Sequence, residues 1–189
     1  LTLVDDASSL QLGDELGIAP TSFDMREAES VVVTGVSGSV VTFDPPAQFD
    51  HLGNADFAAE VVVLTRNVKI SGSSDSSDFF GGRVVSMDVS ESSTFRSGWA
   101  QVSDVEFINM GQFGHTKPED LRVPLAFYYV GLQDSSDERR SFVTNSAFHH
   151  SYNGGVVTGA VSDGVQVEGN VFFNIVADGI EDRGENTRI

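Results

Sequence analysis

The sequence contains no cysteine. The chain can therefore form no disulfide bond and has no thiolate chemistry, and its redox compartment stays undetermined. Basic residues are also scarce, since lysine and arginine together number 11 against 28 aspartates and glutamates, and the net charge is −17. A surface of this charge repels phosphate backbones and anionic lipid. Nucleic acid and membrane surfaces are therefore not expected as partners.

Long apolar runs are missing as well. No run approaches the roughly 18 apolar residues that a membrane-spanning helix needs. Residues 1–10, LTLVDDASSL, lack the basic and apolar blocks of a signal peptide. Membrane insertion of this segment is not expected. Leucine at position 1 suggests a piece of a longer or processed chain, and 189 residues are enough for one domain with a sizeable core.

Helix signals are scarce, whereas short runs of β-branched and aromatic residues recur along the chain. Such runs are typical of β-strands, and clusters of Gly, Asn, Asp and Ser between them predict exposed loops. The predicted loops lie at 71–78 and 132–140, and the apolar runs lie at 31–43, 60–72, 83–89, 102–110 and 125–132. The pattern predicts an all-β fold.

The segment at 142–157 is repeated in the segment at 166–181. The repeat aligns apolar residues with apolar residues: Val143 with Val167, Ala147 with Val171, Phe148 with Phe172, and Val156 with Ile180. Two earlier segments fit the same frame. Residues 102–109 place Phe107 on Phe148 and Asn109 on His150, and residues 64–71 place Ile70 on Phe173 and Ser71 on Asn174.

A period in the low twenties with several short strands per repeat predicts a parallel β-helix, in which coils stack about 4.8 Å apart. Equivalent apolar residues should then stack inside. Asn109, His150 and Asn174 should form a structural ladder at the coil bends. We expect one β-helix region over 1–189, with a lead-in of irregular strands at 1–58 and regular coils at 59–189. A β-propeller or a sandwich remains an alternative.

The sequence also resembles the right-handed parallel β-helix region shared by fibrocystin-L and the cell-migration-inducing and transmembrane hyaluronidases. The matching stretches follow the order of that family along nearly the whole chain: GDE at 13–15, FDHLG at 49–53, LTRN at 64–67, FGGRV at 80–84, VEFINMGQFG at 105–114, VPLAFYYVG at 123–131, SAFHHSYN at 146–153 and GNVFFNI at 169–175. The resemblance implies a right-handed coil and an extracellular or cell-surface location, often within a very long ectodomain.

The enzymes of that family cleave hyaluronan, and the resemblance places their suspected acid–base residues on unsuitable side chains here. Two family histidines fall on Ala126 and Tyr128, and the aspartate falls on Leu132. In the following coil the arginine and a third histidine fall on Gly154 and Gly159. Glycosidic cleavage needs a proton donor with a base or nucleophile, or a bound metal. We therefore expect the scaffold without the family's chemistry, and lean against an enzyme.

An acidic segment at 177–186 offers another candidate site. Asp178, Glu181 and Asp182 could bind a hard cation such as Ca²⁺, or supply the acid and base of a polysaccharide hydrolase or lyase. The simpler interpretation is a solvated bend in which Arg183 pairs with a carboxylate. Beyond this Ca²⁺ candidate, no cofactor is expected.

The histidines are interpreted as structural. His149 and His150 are adjacent, so on a strand they should point to opposite faces. His51 lies in a predicted turn and His115 in a polar loop. Arg66 should pair with a neighbouring carboxylate.

Two hypotheses follow from the sequence. The preferred one is a non-catalytic structural or adhesive module whose partners are other subunits, further coils of the same chain, or a polysaccharide. The alternative is a polysaccharide-degrading enzyme that uses carboxylates such as Asp178, Glu181 and Asp182.

Overall fold

The computed structural model describes residues 1–54, 56–75, 77–114, 120–131 and 140–189. The chain divides into two compact units, Leu1–Thr65 and Arg66–Ile189. Both are built from β-strands, and the only helix among the described residues is a short 3₁₀ turn at Met25–Glu27. The all-β prediction is confirmed. Among these residues, no helix is long and apolar enough to cross a bilayer.

The N-terminal unit contains a four-stranded antiparallel sheet with the order β3-β2-β1-β4. Its strands are β1 (Glu15–Ile18), β2 (Glu29–Ser37), β3 (Val40–Asp44) and β4 (Val61–Val63). Alternation along β2 buries Val31 and Val33 and exposes Val32. The buried residues pack on Leu16 and Ile18 of β1. This unit spans Leu1–Thr65, and β4 belongs to it through its antiparallel pairing with β1. The division between irregular strands and regular coils at residue 58 stays a prediction.

Three parallel sheets make up the C-terminal unit. The first contains β9 (Gln101–Ser103), β12 (Phe142–Thr144) and β15 (Gln166–Glu168). The second contains β5 (Val68–Ser71), β10 (Val105–Ile108), β13 (Ala147–Ser151) and β16 (Val171–Ile175). The third contains β6 (Val84–Met87), β11 (Leu125–Tyr128), β14 (Val156–Thr158) and β17 (Ile180–Asp182). A hairpin of β7 (Val89–Glu91) and β8 (Thr94–Arg96) lies between β6 and β9.

From β9 onward the chain visits the first, second and third sheets in turn, three times. We call each such passage a coil. Each strand pairs in parallel with the equivalent strand of the next coil, so equivalent residues lie side by side. This is the strand arrangement of a parallel β-helix.

The predicted repeat has the observed register in the later coils. Val143 pairs with Val167, Phe148 with Phe172 and Val156 with Ile180. Phe107 pairs with Phe148 as predicted. The alignment of the earliest segment is wrong by one residue, since Ile70 pairs with Phe107 and so belongs with Phe172, not Phe173. A slip of one residue would turn Ile70 away from the core, because side chains alternate between the faces of a strand.

The core of this unit is a column of phenylalanines between the sheets. Phe107 and Phe148 stack with ring centroids 4.6 Å apart and an interplanar angle of 3°. Phe148 and Phe172 stack at 5.3 Å and 14°. Val143 and Val167 of the first sheet and Leu125 and Val156 of the third close the column from the other sides.

Each coil bends between sheets through residues with a positive φ. Between the first and second sheets these are Asp104, Asn145 and Gly169, with φ values of 57°, 50° and 62°. At the ends of the second-sheet strands they are Asn109, which follows β10, His150 near the end of β13 and Asn174 near the end of β16, with φ values of 54°, 52° and 48°. Asp, Asn and Gly are the residues that most readily adopt this left-handed conformation. The bends therefore recur in sequence as well as in space.

Candidate functional site

The outer face of the third sheet carries an apolar row. Leu125 and Val156 point into the phenylalanine core, so Val85, Ala126 and Val157 point to the other side. There they pack with Val123 and Leu121, and both Ala126 and Val157 are buried. This outer row has no titratable side chain until Glu181 on β17.

The acidic segment follows directly on that row. Alternation along β17 places Glu181 and Asp182 on opposite faces of the strand, while Asp178 lies in the bend before it. Glu181 accepts from Arg183 at 2.9 Å, and Asp182 accepts from the Thr158 hydroxyl and from the Gly184 amide. The carboxylates of Asp178, Glu181 and Asp182, all of which the structure describes, do not lie within 4.8 Å of one another as a set. Their roles as cation ligands or as an acid–base pair stay predictions.

A second polar cluster lies on the outer face of the second sheet. The carboxylate of Glu106 is buried, and its Oε1 accepts from the Lys69 ammonium at 2.6 Å. The same oxygen lies 3.2 Å from Nε2 of the fully buried His149. Its other oxygen accepts from the Arg66 backbone amide at 3.0 Å. A buried carboxylate is stabilised when several donors surround it in this way.

His150 extends this cluster, contrary to the expectation from the sequence. His149 Nδ1 and His150 Nδ1 are 2.9 Å apart, and the two rings are in edge contact. The expectation that adjacent histidines point to opposite faces is therefore wrong here. The positive φ of His150 interrupts the alternation and turns its ring back towards its neighbour. The two Nδ1 atoms can share only one proton in such a contact, so one donates and the other accepts.

Imidazole beside carboxylate is the arrangement of a general base, but His149 and Glu106 are 0% and 1% exposed. A substrate could not reach either group, so the geometry favours a stabilising role. Arg66 lies beside this cluster, and its predicted pairing with a carboxylate stays a prediction. Its Nε donates to the Asn145 carbonyl at 2.7 Å. Burial lowers the pKa of Arg66, an effect that the nearby Asp104 and Glu106 oppose.

Two oppositely charged residues in the sequence indicate this cluster. Lys69 and Glu106 pair directly across β5 and β10, and opposite charges at paired positions on a sheet attract. The one-residue error in the earliest repeat concealed the pair, because it placed Lys69 in line with Phe172 on the inner face. Charge complementarity at position 106 would have selected the correct register.

Asn109, His150 and Asn174 occupy equivalent positions in successive coils, each with a positive φ. Their role as a structural ladder stays a prediction. His115 and Leu132 lie outside the described residues. His51 belongs to the N-terminal unit, where it pairs with Glu29.

Comparison with known families identifies the architecture. The model of a family described as the CEMIP beta-helix matches residues 80–187, which is more than half of the chain. The chain belongs to the CEMIP β-helix family.

Relatives of this CEMIP β-helix chain are large proteins. Mouse fibrocystin-L is 29% identical over 205 residues, which cover 100% of this chain and 5% of that protein. Human cell surface hyaluronidase CEMIP2 is 30% identical over 210 residues, with 97% and 14% covered. A G8 domain-containing protein of Dictyostelium discoideum is 24% identical over 197 residues, with 92% and 13% covered. The chain therefore spans a small part of each relative.

Within this CEMIP β-helix fold, the positions where the resemblance puts the enzymes' histidines and arginine cluster around the third sheet. Ala126 lies in the apolar row, and Tyr128 ends β11. A Cβ atom on Gly159 would come within 2.5 Å of the Tyr128 ring, and one on Gly154 within 2.7 Å of the Asp178 carbonyl oxygen. The tyrosine ring thus fills the space that a side chain at position 159 would need.

Proposed function

We propose that this chain is a non-catalytic structural or adhesive module of an extracellular or cell-surface protein, wound as a right-handed parallel β-helix. The observation that carries the proposal is the outer face of the third sheet. Val85, Ala126 and Val157 pack there as a closed apolar cluster. Of the four described positions that would hold the family's histidines and arginine, only Tyr128 has a polar functional group.

The overall charge favours the hypothesis of a scaffold rather than that of a hyaluronan-cleaving enzyme. Hyaluronan is a polyanion, and the chain carries a net charge of −17. Association of two bodies of like charge is slowed and weakened, most at low ionic strength. If the module binds a glycan, we expect a neutral polymer to bind more tightly than an acidic one.

The test is light scattering of polysaccharides after incubation with the purified chain. We expect the polymer mass of hyaluronan, and of a panel of acidic and neutral glycans, to stay unchanged with and without Ca²⁺. Co-elution of protein and polymer without loss of mass would identify an adhesive module.

The variants D178N and E181Q complete this experiment, with E168Q as a matched surface control. A falling polymer mass that is abolished by D178N or E181Q, but not by E168Q, would overturn the proposal in favour of a carboxylate-based enzyme. Circular dichroism of each variant checks that the fold is retained.

Strand edges suggest how such a module associates. Within the described residues, β16 ends the second sheet and has one edge free for a further strand. Next to this edge lies an open recess of mixed character, lined by Val167, Phe172, Ile180 and Ile189 and also by Glu168, Asn170 and Arg188. Open edges recruit strands from other chains or coils. We therefore propose further coils or neighbouring subunits as partners, and a chain that stays monomeric in light scattering at high concentration would count against subunit assembly.

A further inference from the structure

His149 and His150 present two ring nitrogens to each other beside the second sheet. Their Nδ1 atoms are 2.9 Å apart. The two rings meet nearly edge to face, with centroids 5.2 Å apart and an interplanar angle of 70°. Neutral imidazole is the commonest metal ligand among the side chains, and it suits the divalent transition metals. Two imidazole nitrogens at this distance are therefore a candidate pair of metal ligands.

Glu106 determines which nitrogen of His149 can bind an ion. An ionised carboxylate only accepts, so the 3.2 Å contact between His149 Nε2 and Glu106 Oε1 places the proton of a neutral ring on Nε2. Nδ1 of His149 then carries a lone pair and accepts from Nδ1 of His150. In metal sites a ligating histidine almost always donates its other N–H to such a partner, which orients the ring and makes the ligating nitrogen more basic. The contact of His149 with Glu106 is thus the one that supports a metal ligand.

The separation of the two Nδ1 atoms favours one coordination geometry. With metal–nitrogen bonds of about 2.05 Å, ligands 2.9 Å apart subtend an angle of about 90° at the ion. Tetrahedral coordination with the same bonds would place the two nitrogens about 3.3 Å apart. A right angle belongs to the tetragonal sites of Cu²⁺ and Ni²⁺, whereas Zn²⁺ is bound mostly in tetrahedral sites. The observed distance therefore favours Cu²⁺ or Ni²⁺.

Burial and charge around the pair are compatible with a bound cation. His149 is fully buried, but His150 is only half-buried, so an ion can reach the two nitrogens from the side of His150. The nearest cation, the Lys69 ammonium, is paired with Glu106 at 2.6 Å, which leaves that pair without net charge. The net charge of −17 concentrates cations near the chain as a whole.

We propose that Nδ1 of His149 and Nδ1 of His150 bind a Cu²⁺ or Ni²⁺ ion in adjacent positions of a tetragonal site, with Glu106 as a positioning residue behind His149. Water completes the coordination. The proton that the two nitrogens share in the metal-free chain moves to Nε2 of His150, so both rings stay neutral. The proposal concerns the C-terminal unit alone and does not depend on the function proposed above.

Isothermal titration calorimetry of the purified chain with CuCl₂, NiCl₂ or ZnCl₂ tests the site. We expect tight binding of one Cu²⁺ ion, weaker binding of Ni²⁺ and still weaker binding of Zn²⁺. Excess CaCl₂ should not compete, because Ca²⁺ binds oxygen ligands. Electron paramagnetic resonance of the Cu²⁺ form should show hyperfine coupling to two nitrogens. Tighter binding of Zn²⁺ than of Ni²⁺, or coupling to fewer than two nitrogens, would overturn the proposal.

Three variants locate the ion, and circular dichroism checks the fold of each. His150→Gln removes one ligand, so the affinity for Cu²⁺ should fall about tenfold or more and the coupling to one nitrogen should disappear. Glu106→Gln keeps both ligands, so both couplings should persist while the affinity falls about 10- to 100-fold, the usual effect of losing the partner of a ligating histidine. A general loss of structure at Glu106 would instead abolish the couplings.

His51→Gln is the matched control, because it removes a histidine of the N-terminal unit that pairs with Glu29. This variant should keep the affinity for Cu²⁺ and both nitrogen couplings. Unchanged affinity in His150→Gln, or an equal loss in His51→Gln, would contradict the proposed site. The nitrogen coupling in the unmodified chain decides the question even if a variant fails to fold.

Discussion

Glu106 shows what a single residue contributes to this fold. Taking a carboxylate out of water costs several kcal/mol unless donors replace the solvent. Glu106 receives such donors from Lys69, from the His149 ring and from the Arg66 backbone, and these reach it from β5, β13 and the chain before β5. One side chain therefore ties its own coil to the next coil and to the preceding strand β5 through hydrogen bonds rather than through apolar packing.

Replacing Glu106 by alanine should destabilise the chain by about 3 kcal/mol, because removing one partner leaves buried groups without their bonds. Urea unfolding followed by circular dichroism measures the loss. The matched control is Glu168→Ala on β15, whose carboxylate pairs with the exposed Arg188. Since an exposed pair contributes little, that change should cost about 0.5 kcal/mol or less. Equal losses in the two variants would contradict the stabilising role of Glu106.

Among the elements, the column of Phe107, Phe148 and Phe172 determines how the second sheet stacks. Each ring belongs to a different coil and contacts the next one face to face. Offset stacking adds to the free energy of burial. The middle ring has neighbours on both sides, whereas Phe172 has a ring on one side and is only partly buried.

Phe148→Ala should lower the free energy of unfolding by about 3 to 5 kcal/mol, the usual cost of deleting a buried phenylalanine ring. Phe172→Ala is the matched comparison, and its cost should be clearly smaller because less surface is lost from the core. The same urea experiment distinguishes the two. A larger effect at Phe172 than at Phe148 would show that the last coil, not the middle of the column, limits stability.

These elements also show how far the sequence predicts the structure. The constant offset that relates Phe148 to Phe172 and Val156 to Ile180 predicted the sheet register, because a repeated apolar pattern allows one alignment. Ile70 was misplaced because one short segment with few landmarks does not distinguish a slip of one residue. The contact between the two adjacent histidines depends on the positive φ of His150. A rule that side chains alternate between the two faces of a strand does not take this φ into account. The Glu106 cluster depends on the register of β5 and on the conformation of His150, so it was not predicted.

For the whole molecule, the excess of acidic residues opposes compaction. A net charge of −17 concentrated on a folded chain repels itself more than the same charge on an expanded chain. Salt shortens the range of this repulsion, from about 30 Å at 0.01 M to about 8 Å at 0.15 M. Stability should therefore depend on ionic strength more than in a chain of balanced charge.

Raising NaCl across that range should increase the unfolding temperature by about 2 to 4 °C, which corresponds to about 1 kcal/mol for a chain of this size. Differential scanning calorimetry provides the measurement. A variant with the exposed residues Asp5, Asp75 and Glu91 changed to lysine should respond less to salt. An unfolding temperature that falls with salt would indicate that ion pairs, rather than repulsion, dominate the surface.

The spacing between coils has a consequence for how this protein can change. Phe107 is a spatial neighbour of Phe148, as Phe148 is of Phe172, yet the chain that joins the first pair is much longer than the chain that joins the second. The stacking of the strands thus does not depend on the length of the segments that connect one sheet to the next. Segments can be lengthened, exchanged or grafted at those exits while the strands keep their partners. Such a frame would suit the display of foreign peptides, with the shortest coil as the minimal repeating unit.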